Sequence, residues 1–145
     1  MQQPERGYTY ADYAQWDGIE RYELIDGQAY MLASPSVRHQ RVFRELFKQF
    51  AVYLAGKTCE VFSAPFDIRL NAAAEDDIVV QPDITVICDP RKIEDGQSCK
   101  GAPDMVIEIL SPSTARYDQN RKLDLYLEAG VREYWIVDPE MRSVR

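Results

Sequence analysis

Apolar positions recur along the chain with two periods, and each marks an element. In RYELIDGQAYML they flank Asp26-Gly27, a dipeptide suited to the positive-φ turn of a hairpin, so two short strands are expected. After SPSVRHQ the spacing becomes helical. Val42, Phe43, Leu46, Phe47, Phe50 and Leu54 share one face, Ser36 stands at the N-cap, and Gly56 follows the end near Leu54. CEVFSAPFDIRL reads as a strand that Pro65 bends or confines to an edge, NAAAEDD as a turn, and IVVQPDITVIC as a strand interrupted by Pro82. DPRKIEDGQSCKGAP is rich in turn formers and reads as a loop. A third strand is expected from about Asp104 to Leu110. SPST then offers a cap for a helix from about Ala115 to Ala129, closed by Gly130. EYWIVD gives a last strand, and MRSVR reads as the start of one more, cut short. The order is hairpin, helix, three strands, helix, strand. It predicts one α/β domain over residues 1–145, a mixed β-sheet core flanked by helices with an N-terminal β-hairpin.

Several polar residues break this pattern. Glu108 lies between Val106-Ile107 and Ile109-Leu110, in a strand apolar on both faces. A carboxylate there costs several kcal/mol unless it meets a cation or a hydrogen-bond network, so it belongs either to a structural ion pair or to a site. Asp83 lies in the preceding strand, after Pro82. Either a bulge re-aims its side chain or Pro82-Asp83 is a turn that splits two strands. On the second helix Leu125, Ala129, Tyr126 and Leu123 define an apolar arc with Lys122 in its middle. That lysine either snorkels, pairs with Asp118 one turn earlier, or reaches inward to Glu108 and Asp83. His39 falls near the centre of the first helix's apolar arc, as a satisfied core residue or a site group. Arg41, Arg44 and Lys48 cluster opposite, as a solvated face or a phosphate contact. Glu23 in YELIDG alternates against Tyr22 and Leu24, and a solvent-facing glutamate is expected.

Composition narrows the function classes. No apolar run reaches the roughly 20 residues of a membrane span, and MQQPERGYTYADY lacks the basic start and apolar stretch of a signal peptide, so a cytoplasmic protein is expected. Cys59, Cys88 and Cys99 fit no zinc spacing, and their odd number in that compartment predicts free thiols. A net charge of −7 argues against a protein that coats nucleic acid non-specifically, while leaving room for a local basic surface or an acidic metal site. No Gly-rich phosphate loop or Ser-His-Asp arrangement competes with the carboxylates. Two carboxylates and a lysine suit a Mg²⁺ or Mn²⁺ site, where substrate phosphate oxygens and water complete the coordination.

The fragments YELIDG, SPSVRHQ, QPDI, VIEILSPST and DQNRKLDLYLEAGVREYWIVDP, in this order, resemble the Uma family of bacterial restriction endonucleases, within the PD-(D/E)XK superfamily. The resemblance runs from about Tyr22 to Pro139. It implies a restriction-endonuclease-like fold and a metal-dependent DNA endonuclease. Pro82-Asp83 then matches the PD element and Glu108 the acidic residue of (D/E)XK. Leu110 stands where that motif has its lysine, and Lys122, on the following helix, matches the displaced lysine seen in other members. The resemblance implies catalytic roles for Asp83, Glu108 and Lys122, metal binding by Asp83, Glu108 and Glu23, accessory roles for His39 and Gln40, DNA as partner and a homodimer. Pro103-Asp104 is a second, competing PD pair. The alternatives are a catalytically inactive binding or regulatory module on the same fold, and a hydrolase of RNA.

Overall fold

The computed structural model describes residues 3–112 and 117–145, with side chains in the last helix described from position 119 onward. Ser113 and Thr114 of SPST, the helix start near Ala115 and the Asp118 side chain lie outside the described residues. The elements are α1 (Tyr10–Tyr13), β1 (Tyr22–Ile25), β2 (Gln28–Met31), α2 (Val37–Leu54), β3 (Glu60–Ser63), β4 (Asp67–Arg69), β5 (Val79–Val80), β6 (Ile84–Ile87), a 3₁₀ turn (Pro90–Ile93), β7 (Ser98–Lys100), β8 (Met105–Ile109), α3 (Tyr117–Ala129), β9 (Glu133–Asp138) and β10 (Ser143–Val144).

The mixed α/β architecture is present, but the strands form two sheets. One has the order β2-β1-β5-β4-β7 and the other β10-β9-β8-β6-β3. The prolines explain the division. Each stretch read from the sequence as one strand changes sheet at a proline: β3 passes to β4 through Ala64-Pro65, and β5 to β6 through Gln81-Pro82-Asp83. A proline has no N–H for the ladder, so pairing stops there and the chain can turn away. The Asp26-Gly27 hairpin forms as expected, with both residues at positive φ. A Cβ on Gly27 would come within 3.1 Å of the Gly7 backbone, so the turn also needs a residue without a side chain.

The second sheet is covered on both faces. Met105, Ile107 and Ile109 of β8 join Ile84 and Val86 of β6 against Phe43, Phe47 and Phe50 of α2. On the other face Val106 and Ile87 meet Leu125 and Tyr126 of α3 together with Ile68 and Val80 of the first sheet. β8 pairs antiparallel with β6 and parallel with β9, which makes it the central strand.

Three expectations are corrected. Ser98–Lys100, read as loop, is a strand because it pairs in parallel with β4, a partnership distant in sequence. Leu123 is exposed, so the apolar arc of α3 is narrower than its spacing predicts. Cys59 and Cys88 are not free thiols but form a disulfide. They directly flank the β3–β6 ladder, whose first pair is Glu60↔Ile87, so strand pairing alone brings them together. Cys99 is free and buried, and burial pushes its thiol up to about 11.

Candidate active site

Strand register brings the carboxylates together. β6 and β8 pair at Ile84↔Ile107, which sets Asp83 across from Glu108. Of the two readings of Pro82-Asp83, the split is the one found: Asp83 stands just before β6, where the chain crosses between sheets. Its Oδ2 accepts the Ile109 backbone N–H at 2.7 Å, and its Oδ1 lies 3.2 Å from His39 Nε2. His39 is buried at the start of α2. Ser36 Oγ caps that helix by accepting the His39 backbone N–H, so the cap also fixes the imidazole's position. The bond to Asp83 raises the His39 pKa above its ordinary value, against the lowering effect of burial. Among the described residues, Nδ1 of the ring is buried with no hydrogen-bond partner.

Lys122 is 5 % exposed and points inward from α3. Its Nζ donates to Glu23 Oε2 at 2.8 Å and to Glu108 Oε1 at 3.0 Å. The inward reach to Glu108 is therefore present, but the second partner is Glu23 rather than Asp83. Burial works against the ammonium, yet Glu108 and Glu23 outweigh it and hold Lys122 above the usual lysine range. Glu23 is 5 % exposed, contrary to the expectation that it faces solvent. Glu23 does face opposite to Tyr22 and Leu24, but both faces of β1 are covered. Tyr22 meets Trp16 and Leu24 packs with Tyr8, while the face of Glu23 and Ile25 turns toward the site and core.

The Glu108 carboxyl lies well above its ordinary value. Burial is the largest cause; Lys122 opposes it, and Asp83 and Glu23 add to it, so its pKa rises to about 7. The Tyr126 hydroxyl also donates to Glu108 Oε1, at 2.8 Å. From its spacing Tyr126 belongs only to an apolar arc. The available signal was that Tyr126 follows Lys122 by four residues, on one helix face, and a buried tyrosine hydroxyl needs a partner. Gln81 was also missed. Its backbone N–H donates to Glu23 Oε2 at 2.7 Å, and its side chain ties Arg21, Tyr13 and Asp67 to that edge of the site. Asp104 of the competing PD pair accepts the Cys88 backbone N–H at the far end of β8 and is not among the residues lining the site pocket.

These groups line a pocket of about 210 Å³ that includes Glu23, His39, Gln40, Asp83, Glu108 and Lys122. Among the described residues no three or more carboxylate, imidazole or thiolate side chains converge as a ready-made cation cage. The donor set still fits Mg²⁺ or Mn²⁺, ions that need only one or two protein carboxylates alongside water and phosphate oxygens. Two carboxylates, Glu23 and Glu108, meet Lys122, while Asp83 beside them is held by His39 and the Ile109 N–H.

The fold resembles the crystal structure of a putative nuclease belonging to DUF820 from Anabaena variabilis ATCC 29413. The TM-score is 0.78 at 21% identity, covering 94% of this chain and 77% of that one. The chain is also similar to two uncharacterized proteins of Synechocystis sp. It is 33% identical to slr1290 over 117 residues and 29% identical to sll1609 over 134 residues, covering 79% and 90% of this chain. It spans 60% and 74% of the lengths of those relatives. A family model described as "Putative restriction endonuclease" matches residues 10–145, and the chain belongs to that family, Uma2.

Proposed function

We propose that this chain is a Mg²⁺- or Mn²⁺-dependent DNA endonuclease. The observation that carries the reading is the facing pair Asp83 and Glu108 beside Lys122, held 2.8–3.0 Å from Glu23 and Glu108. Asp83 and Glu108 would hold the cation, with Glu23 as third carboxylate. The ion would supply Lewis-acid activation of phosphate and a lowered water pKa. Lys122, kept protonated, would stabilise charge growing on the phosphoryl oxygens and orient the attacking water, rather than act as a base. The Ile109 N–H and His39 would fix Asp83, Tyr126 and Lys122 would fix Glu108, and Gln40 would face substrate from the pocket wall. The reaction breaks a P–O bond of the backbone and adds water across it. Cutting both strands calls for two such sites, hence a homodimer on DNA, which sedimentation with a duplex would detect or rule out. The setting proposed is the cytoplasm.

The test is nicking of supercoiled plasmid with Mn²⁺. Asp83→Ala and Lys122→Met should each lose at least about a hundredfold in rate. Nicking unchanged in both would refute the assignment. RNA assayed in parallel separates the substrate class. One observation favours a second reading, an inactive module: Lys122 already engages Glu23 and Glu108 as a closed ion-pair network. Folded wild type that binds no Mn²⁺ in calorimetry would support that module over the nuclease.

A further inference from the structure

A shallow groove of about 750 Å³ runs along α2, with Arg41, Arg44 and Lys48 on its wall and Phe43 and Phe47 beside them. It shares Pro35, Gln40 and Phe43 with the candidate active-site pocket, so the two depressions adjoin. The chain has a net charge of −7, yet among the described residues no acidic side chain lines this groove. Helical spacing explains the segregation: positions 41, 44 and 48 fall in one stripe. All three side chains are exposed. Glu45 touches Arg44 at 3.8 Å and Lys48 at 3.0 Å, but it lies outside the groove lining, and exposed pairs of this kind contribute little. The rings of Phe43 and Phe47 stack with centroids 5.3 Å apart and are half-buried, giving the groove an apolar floor.

We propose that this groove carries the backbone of the DNA strand flanking the scissile phosphate, with phosphates on Arg41, Arg44 and Lys48 and sugars against Phe43 and Phe47. The inference rests on the nuclease reading and gives it a substrate path. A basic track beside an acidic pocket solves an electrostatic problem, since three carboxylates alone would repel a polyanion. Cations that neutralise phosphates release counterions, so they leave a signature in the salt dependence of binding.

The experiment measures binding of a fluorescein-labelled, mixed-sequence DNA duplex, with Ca²⁺ in place of Mg²⁺, over a range of salt. It compares the wild type, the triple variant Arg41→Gln/Arg44→Gln/Lys48→Gln, and a charge-matched control, Lys57→Gln/Arg91→Gln/Arg132→Gln. All six positions are exposed, so circular dichroism should show both variants folded. The triple variant should bind at least about tenfold more weakly, and the slope of log K against log salt should fall by about two to three. The control should keep the wild-type slope to within about one, the share of a single phosphate contact. Equal affinity and slope in the triple variant and the wild type would overturn the groove, and plasmid nicking by the wild type would still uphold the nuclease. Equal losses in the triple variant and the control would also overturn it, as a net-charge effect. Loss confined to the triple variant, with no Mn²⁺-dependent nicking by the wild type, would uphold the groove and remove the nuclease. A wild type that binds no duplex would overturn both.

Discussion

Glu108 shows how one side chain can carry several opposing effects. Burial, Asp83 and Glu23 push its carboxyl up, and Lys122 holds it down, with a net rise from 4.5 to about 7. A carboxyl raised on folding stabilises the folded state below its unfolded value near 4.5, and that contribution is lost as pH climbs through about 7. The 18 % exposure of the side chain toward the pocket limits the size of the effect. Cation-free protein should therefore lose of order 1–3 kcal/mol between pH 5 and 8, read from urea midpoints. Mn²⁺ should restore the loss at pH 8 and do little at pH 5, because an ion held by Glu108, as proposed, would compete with the proton for the same oxygens. A midpoint that stays flat across this range would remove Glu108 as the titrating group.

At the scale of elements, α2 does two jobs through one cap. Ser36 satisfies a free N–H of the first turn, and that N–H belongs to His39, whose ring holds Asp83. Ser36→Ala should cost about 1 kcal/mol of stability and loosen the His39–Asp83 contact, so nicking should fall more than the stability loss alone accounts for. Ser36→Asp should recover both. Stability that drops while activity stays at the wild-type level would separate the cap from the site. β8 is the other element that positions chemistry. Its odd-numbered residues bind the sheet to α2, and its even ones, Val106 and Glu108, face α3 and the first sheet.

For the whole molecule, stability and site geometry meet where the chain crosses between sheets. Asp83 stands at one crossing, and β3, which leads into the other, is an edge strand. The Cys59–Cys88 disulfide ties this edge strand to β6 and closes a loop with a sequence separation of 29. By loop closure alone its removal should cost about 3–4 kcal/mol. Reductant should lower the thermal midpoint of the wild type and leave that of Cys59→Ala/Cys88→Ala unchanged. A wild type indifferent to reductant would show that the bridge contributes nothing to the folded state. The family match covers residues 10–145, so the region it matches includes the whole candidate site, from Glu23 to Tyr126.

The sequence by itself determined the elements whose signals are local. The Asp26-Gly27 turn, the Ser36-capped helix ending at Leu54 and the apolar run of β8 depend on residues a few positions apart, and all three are present. It also marked Glu108 and Lys122 as out of place, because a charge in an apolar stretch stands out without coordinates. Tertiary structure decided what depends on distant partners. It divided one expected sheet into two, paired Ser98–Lys100 with β4, joined Cys59 to Cys88, and buried Glu23 by covering a face that alternation alone leaves open. It also gave Lys122 Glu23 as its second partner, 99 residues away in the chain. The physical reason is one of range: periodicity reports which side of an element is apolar, and only packing fixes what lies against it.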